Sequence, residues 1–121
     1  MKYVRLYCDE AGESHFEDIE VAMFPLNYAP PAPSLDLSEP MAASKVLFMH
    51  VPAGWTGEWH RAPRKQFLFR LAGIFESTAS DGETRLLGPG SVLLMEDIHG
   101  KGHYSRVVGD IDALNAVVPI E

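Results

Sequence analysis

Alternating apolar and polar residues form the main pattern along this chain, and the pattern is typical of β-strands. Residues 2–8, KYVRLYC, alternate and are rich in β-formers, and EDIEVAMF at 17–24 alternates again. From residue 45 onward such runs follow closely and predict strands at 45–51, 57–62, 66–77, 84–87, 92–95, 103–108 and 111–119. No run has a convincing helical repeat, so the pattern predicts an all-β protein.

Turn sequences rich in glycine, proline and aspartate separate the later strands: PAG at 52–54, SDGE at 80–83, GPG at 88–90, HGKG at 99–102 and VGD at 108–110. Short strands at this spacing favour a β-sandwich or barrel, for which a small double-sheet jelly roll is the natural solution. The length of 121 residues suits a single domain. We expect one domain over 1–121, with N-terminal strands and a covering segment at 1–43 and a barrel core at 44–119.

A proline-rich segment interrupts the strand pattern at residues 25–40, which hold five of the nine prolines. Such a segment cannot form a regular helix or a central strand. Two alternatives are an ordered extended segment over the domain surface and a free linker. We favour the first, because Leu26, Tyr28 and Leu35 are candidate apolar anchors.

The charge, the cysteine count and the lack of long apolar runs limit which partners and which cellular compartment we expect for this protein. The net charge is −7 and the pI is about 5.1, which argues against nucleic acid or an anionic membrane as the main partner. The single cysteine, Cys8, rules out an intramolecular disulfide. The first residues lack the apolar run of a signal peptide, and no run is long enough to span a membrane. We therefore expect a cytoplasmic protein.

The stretch GWTGEWHRAPRKQFLFRLAG at 54–73 resembles the first motif of the cupin superfamily, G-x5-H-x-H-x3-E-x6-G. The motif spacing is kept without a gap, although its second histidine and its glutamate have been replaced. The five motif positions are Gly54, His60, Ala62, Gln66 and Gly73.

The second cupin motif, G-x5-P-x-G-x2-H-x3-N, is matched more loosely. Gly90 fits its start, Glu96 stands in place of the proline and Lys101 in place of the histidine. His103 fits the histidine position only if two residues have been inserted. The resemblance covers residues 44–118 and implies a double-stranded β-helix, the cupin-like jelly-roll barrel. It also implies a homodimer that pairs through outer sheets and N-terminal strands such as 3–7.

The resemblance implies a metal site formed by His60, Gln66 and His103. Two imidazole nitrogens and one amide oxygen would suit one divalent transition metal such as Fe, Mn, Ni or Zn. Glu58 shares a strand face with His60 and is a candidate ligand-binding residue or a replacement for Gln66 in the metal site. In the alternative interpretation, the two histidines only form hydrogen bonds inside a polar pocket.

Arg70 is the most distinctive candidate for binding a ligand. Strand alternation places Gln66, Leu68 and Arg70 on one face, which the resemblance turns toward the barrel interior, and Phe67, Phe69 and Leu71 on the other. A buried guanidinium needs a partner, and its planar fork suits a ligand carboxylate or phosphate. One alternative is a salt bridge to Glu58 or Glu96. Another is that the more apolar face is the core, which would place Arg70 in solvent.

These observations lead to two main functional hypotheses. The first is a cupin-like protein that binds a small molecule, extending to a metal-dependent enzyme of the dioxygenase or isomerase type that acts on a small anionic organic substrate. The second is a binding or sensing protein without metal and without activity, which the Ala62 and Gln66 replacements favour. A structural dimer without a ligand is a third hypothesis. The expected partners are a small molecule and a second copy of the chain.

Overall fold

The structure, a computed structural model, describes residues 1–120. Within this range the chain forms strands and no helix, which confirms the prediction of an all-β protein. Accordingly, the described residues contain no helix that could span a membrane. The strands are β1 (Lys2–Cys8), β2 (Ser14–Glu20), β3 (Phe24–Leu26), β4 (Leu35–Leu37), β5 (Leu47–Val51), β6 (Gln66–Ala72), β7 (Ile74–Ala79), β8 (Thr84–Leu87), β9 (Val92–Met95), β10 (His103–Val108) and β11 (Ala113–Pro119).

Two sheets build the body of the protein. The larger has six strands in the order β2-β1-β9-β6-β11-β5, and the smaller has three in the order β10-β7-β8. All neighbours in these sheets are antiparallel except β1 and β9, which are parallel. No ladder joins the two sheets into one closed barrel within residues 1–120.

The hydrophobic core lies between the two sheets. Leu6, Leu68 and Val117 project from the larger sheet and pack in one cluster with Ala79 and Leu87 of the smaller sheet. A second cluster joins strands of both sheets in the same way. Complete burial of a leucine side chain contributes about 1.5–3 kcal/mol, so this interlayer core supplies the main stabilisation of the fold.

Gly73 divides the strand that the sequence predicts over 66–77. β6 ends at Ala72 in the larger sheet, and β7 begins at Ile74 in the smaller sheet. Gly73 has a φ of 78°, and a Cβ atom on it would lie 2.6 Å from the Cα of Ala113. The prediction of one continuous strand is wrong, because alternation continues unchanged across a residue where the chain changes sheets.

The segment predicted as a strand at 57–62 is not a regular strand. It lies beside β10 and pairs with it only through isolated bridges, Thr56 with Arg106 and His60 with His103. The ends of four other strands also differ from the prediction. β2 occupies 14–20 rather than 17–24, because its whole length pairs with β1. β5 begins at residue 47 rather than 45, β7 ends at 79 rather than 77, and β11 begins at 113 rather than 111.

The proline-rich segment contains a short hairpin of β3 and β4. Its expected anchors Leu26, Tyr28 and Leu35 are each more than half exposed, so they do not attach it to the core. Near the end of the segment, Ser38 and the following Met41 line a groove on the outer face of the larger sheet together with Tyr3, Phe67 and Phe69.

The N-terminal strand that the sequence assigns to dimer pairing lies inside the larger sheet. β1 has a hydrogen-bonded neighbour on each side, β2 and β9, so neither of its edges is open to a second copy. Pairing of two subunits through residues 3–7 would therefore require face-to-face packing. The homodimer itself stays a prediction.

Candidate functional site: a cavity between the two sheets

A cavity of about 560 Å³ opens between the two sheets. This volume lies within the range of about 300–1,000 Å³ that is usual for small-molecule sites. Apolar side chains form most of the wall, and a smaller polar set is distributed along it. The apolar set is Met49, Val51, Trp55, Pro63, Leu68, Phe75, Leu93 and Met95, and the polar set is Glu58, His60, Arg61, Gln66, Arg70, Ser77, His103 and Ser105.

Strand β6 turns its Gln66, Leu68 and Arg70 side chains into this cavity, and all three are buried. On the opposite face of β6, Leu71 is 51% exposed while Phe67 is buried and packs edge-on against Tyr3 at 5.3 Å between ring centroids. The simple patterning argument that the more apolar face forms the core is therefore wrong. It fails because the strand is covered on both faces along much of its length.

Arg70 is buried, with only 4% of its surface exposed, and its guanidinium is fixed by contacts with neighbouring residues. Its Nε donates to Asn115 Oδ1 at 2.5 Å, and its Nη1 donates to the carbonyl oxygen of Leu87 at 2.5 Å. The guanidinium carbon lies 4.0 Å from the ring centroid of Phe75, which is a cation–π contact. Both hydrogen-bond acceptors are neutral. The Nη2 group has no hydrogen-bond partner among residues 1–120 and is not among the fully buried unpartnered atoms, so its N–H groups are available to a molecule in the cavity.

The positive charge of Arg70 has no carboxylate partner among residues 1–120. The two acids considered as partners from the sequence lie elsewhere. Glu58 is exposed at the mouth of the cavity, and Glu96 binds Arg5 at 2.7 Å and Lys65 at 2.9 Å. The salt-bridge alternative for Arg70 is therefore wrong. Burial without a compensating charge lowers the pKa of Arg70 to about 10.

His103 lines another part of the cavity and is fixed from behind by an aspartate. Its Nδ1 lies 2.5 Å from Asp97 Oδ2, and both side chains are almost fully buried. Because a carboxylate only accepts hydrogen bonds, Nδ1 is the donor, and Nε2 is left for the cavity. Asp97 Oδ1 is buried without a hydrogen-bond partner in the part of the chain that the structure describes.

His60 stands at the mouth of the cavity, beside His103. The two ring centroids are 4.6 Å apart, and each backbone N–H donates to the other residue's carbonyl oxygen at 2.9–3.0 Å. The His60 Nδ1–H donates to the backbone carbonyl of Glu58 at 2.7 Å. The structure thus brings together the two histidines that the sequence singled out, one exposed and one buried.

The donor groups at this place do not fit the expected metal site. His60 and His103 each offer one nitrogen, whereas catalytic zinc sites use three protein ligands. The third expected ligand, Gln66, has its amide nitrogen 3.9 Å from Met95 Sδ. No group of three or more His, Cys, Asp or Glu side chains within residues 1–120 is placed to hold a metal ion. A bound metal stays a prediction from the sequence.

Several residues of the cavity were not identified from the sequence. Asn115, fully buried, holds the guanidinium of Arg70, and Phe75 packs against it. Ser77 and Ser105 form a hydrogen-bonded pair at 2.8 Å in the wall. A usable signal existed for Asn115, since it is the one polar residue in the strand sequence ALNAVVP. Nothing in the sequence marked Ser77 and Ser105 as cavity residues, because serine is common on exposed strand faces.

Comparison with known proteins adds no family assignment. The chain matches no protein-family model, and a search of curated proteins finds no match.

Removal of the Asp97 carboxylate is expected to lower the free energy of unfolding. In an Asp97→Ala variant the buried His103 Nδ1–H loses its acceptor, which should cost about 2 kcal/mol. The control is Asp112→Ala, because Asp112 binds His50 at 3.0 Å in an exposed pair. Asp112 also accepts a hydrogen bond from the backbone N–H of Ala53 at 2.8 Å, but water can replace both contacts at this exposed place, so the loss should stay below that of Asp97→Ala. Urea denaturation measures both variants. An equal, small effect in the two variants would contradict a structural role for the buried pair.

Proposed function

We propose that this protein binds a small organic carboxylate in the cavity between its sheets, on a cupin-like jelly roll and without a resident metal. The observation that carries the proposal is Arg70, a buried guanidinium that lines an open cavity and has only neutral partners.

The charge of Arg70 favours an anionic ligand. A buried cation without a counterion is strongly unfavourable, and the lowered pKa reflects this penalty. Asn115 and Leu87 fix the orientation of the guanidinium but do not neutralise it. A carboxylate in the cavity would supply the missing charge and accept hydrogen bonds from the free edge of the fork.

A carboxylate matches this site better than a phosphate ester does. A phosphate ester carries about 1.5–2 negative charges at neutral pH, whereas a carboxylate carries one. Arg70 is the one buried cationic side chain in the wall, and the other arginine of the wall, Arg61, is exposed. One buried positive charge therefore balances one carboxylate. The aliphatic and aromatic walls around it suit an organic body rather than a hydrated inorganic ion.

The cupin-like assignment rests on the path of the chain and on the residues of the first motif. From β6 to β11 the chain changes sheets at every step except between β7 and β8, which are neighbours in the smaller sheet. Strands that alternate between two facing sheets are typical of a jelly roll. The motif positions His60 and Gln66 both line the cavity, and Arg70 points inward as the resemblance implies. The metal-dependent hypothesis is not carried further, because Glu58, the acidic side chain of the cavity wall, is not placed with His60 and His103 to hold a metal ion among residues 1–120.

A carboxylate ligand is expected to raise the thermal unfolding midpoint. At about 100 times its Kd, a ligand specific for the folded state adds about 2.7 kcal/mol, which shifts the midpoint by roughly 10 °C in a domain of this size. Thermal unfolding is measured with straight-chain and aromatic carboxylates, each paired with its neutral primary amide. The carboxylate of each active pair should stabilise the protein, and the amide should not.

The same experiment tests whether carboxylate binding is independent of a metal ion, as we propose. A strong chelator should leave the carboxylate-induced shift unchanged, because the proposed contacts come from Arg70 alone. Equal shifts with amides and carboxylates would refute the role of charge. A shift that disappears with chelator and returns with Fe(II), Mn(II), Ni(II) or Zn(II) would refute the metal-free proposal.

A further inference from the structure

The two ends of the cavity have different polar groups, and the strand register shows how far apart they are. In the smaller sheet, Phe75, which contacts the Arg70 guanidinium, pairs with Val107, and Ala79 pairs with His103. His103 is thus four residues from Val107 along β10, a distance of about 13 Å at the usual rise of a strand. The Arg70 end and the His103 end are separated by this length.

In the larger sheet, too, Arg70 lies at one end of the cavity and the residues near His103 lie at the other. Gln66 is four residues from Arg70 on β6, and it pairs with Met95 of β9. Met95 precedes Asp97 by two residues, and Asp97 binds His103. The ends of both sheets therefore coincide, with Arg70 at one end of the cavity and Gln66 and His103 at the other.

Apolar contacts dominate the space between these ends. Leu68 pairs with Leu93 in the middle of the larger sheet, and both line the cavity. On the opposite sheet the middle position is taken by Ser77 and Ser105, whose hydroxyl groups bind one another at 2.8 Å. This hydrogen bond uses one of the two hydroxyl hydrogens, so the middle of the cavity offers a ligand at most one donor beside its apolar wall.

The His103 end is suited to a neutral polar group. With Nδ1 donating to Asp97, Nε2 of the imidazole can bind a hydroxyl, which both donates and accepts. A second carboxylate is disfavoured there, because the carboxylate of Asp97 already lies buried behind the imidazole. Glu58 and Arg61 at the mouth have opposite charges, so together they give no preference for an anion. An apolar end group would leave Nε2 without a partner.

We propose that the ligand is an elongated hydroxycarboxylic acid, with its carboxylate on Arg70, an apolar middle along Leu68 and Leu93, and a terminal hydroxyl on His103. This assignment rests on the proposed binding of a carboxylate at Arg70. The two functional groups of the ligand should be about 7–13 Å apart, the range left when hydrogen bonds of about 3 Å lie along or across the axis between the two ends.

Isothermal titration calorimetry with three ligand series tests this assignment. The series are straight-chain alkanoates, the same acids with a terminal hydroxyl, and the corresponding dicarboxylates, each with increasing chain length. We expect the hydroxy acids to show an affinity optimum at one length and to bind there about tenfold more tightly than the plain acid, as one satisfied hydrogen bond provides. The dicarboxylate of that length should bind more weakly than the hydroxy acid.

A double variant tests the role of His103 at its end of the cavity without leaving a buried polar group unsatisfied. His103→Leu combined with Asp97→Leu removes both hydrogen-bonding partners, an exchange that is often close to neutral for stability. The double variant should lose the hydroxyl preference, so that it binds the hydroxy acid no more tightly than the plain acid of the same length. Gln66→Leu provides a second variant at the same end of the cavity, and it should reduce the same preference.

Failure of this inference is distinguishable from failure of the proposed function. If carboxylates bind but show neither a length optimum nor a hydroxyl preference, the elongated ligand is refuted while the Arg70 site stands. A tighter dicarboxylate, or a hydroxyl preference that persists in the double variant, also refutes it. If none of the three series binds, the proposed function itself is wrong.

Discussion

An Arg70→Met variant is expected to bind carboxylates about 30- to 100-fold more weakly than the unmodified protein. The loss corresponds to the 2–3 kcal/mol that hydrogen bonds to a charged group typically contribute. The variant should nevertheless fold. Burial of the charged form costs about 3 kcal/mol by the lowering of its pKa to about 10. The two hydrogen bonds from the guanidinium to Asn115 and Leu87 return about 3–6 kcal/mol, because each involves a charged donor. We therefore expect the free energy of unfolding to fall by less than about 3 kcal/mol.

The matched control for this variant is Arg106→Met. Arg106 is an exposed arginine that pairs with Glu76 at 2.9 Å and does not line the cavity. Its replacement should leave carboxylate affinity unchanged. Titration calorimetry and urea denaturation on both variants separate a binding defect from a folding defect. Retention of full affinity in Arg70→Met would show that the anion binds elsewhere.

A Gly102→Ala variant is expected to lose about 3 kcal/mol of unfolding free energy and to disturb the site. Gly102 has a φ of 76°, a conformation that costs a residue with a Cβ about 1–2 kcal/mol. The added Cβ would also overlap the backbone of His60, so the segment that carries His60 must move away from β10. This segment forms the mouth of the cavity, and carboxylate affinity should therefore fall together with stability.

The control for Gly102 is Gly82→Ala. Gly82 also has a positive φ, 97°, but a Cβ on it would meet no atom within 4 Å. Its replacement should cost only the backbone strain of about 1 kcal/mol and leave binding unchanged. Thermal and urea unfolding of both variants measure the difference. If the two variants lose equal stability, the contact between Gly102 and His60 does not determine the effect.

Much of the strand pattern could be predicted from the sequence, because each turn carries its own chemical signal. The strands 84–87, 92–95 and 103–108 have the predicted bounds. The errors arise where local pattern and tertiary pairing differ. At Gly73 the alternation continues although the chain changes sheets, and at 57–62 a strand-like sequence pairs with β10 only at isolated bridges.

The candidate site was predictable only in part. Motif spacing selected His60 and Gln66, strand alternation together with the cupin resemblance selected Arg70, and all three line one cavity. Spacing could not select Asn115 or Phe75, because the contacts of Arg70 with them join β6 to two other strands of the fold. Nor could it decide between a salt bridge and an unpaired guanidinium. That decision depends on Glu96, which binds Arg5 and Lys65 instead.

The mouth of the cavity explains how a ligand would reach a buried guanidinium. Trp55, Glu58, His60 and Arg61 all lie on the segment between β5 and β6, and all are exposed. The segment is attached to β10 by backbone hydrogen bonds at Gly57 and His60 rather than by a continuous ladder. Sparse attachment of this kind permits local opening more easily than a complete strand does.

The most direct test of the central claim is an NMR titration that observes the Nε–H group of Arg70. This group donates to Asn115 inside the cavity wall, so its resonance reports on a carboxylate bound to the same guanidinium. We expect the Arg70 signal, assigned by its absence in Arg70→Met, to shift saturably with a carboxylate and not with the matching amide, while the Arg106 signal stays constant. An Arg70 signal that stays unchanged while the carboxylate binds would contradict the account.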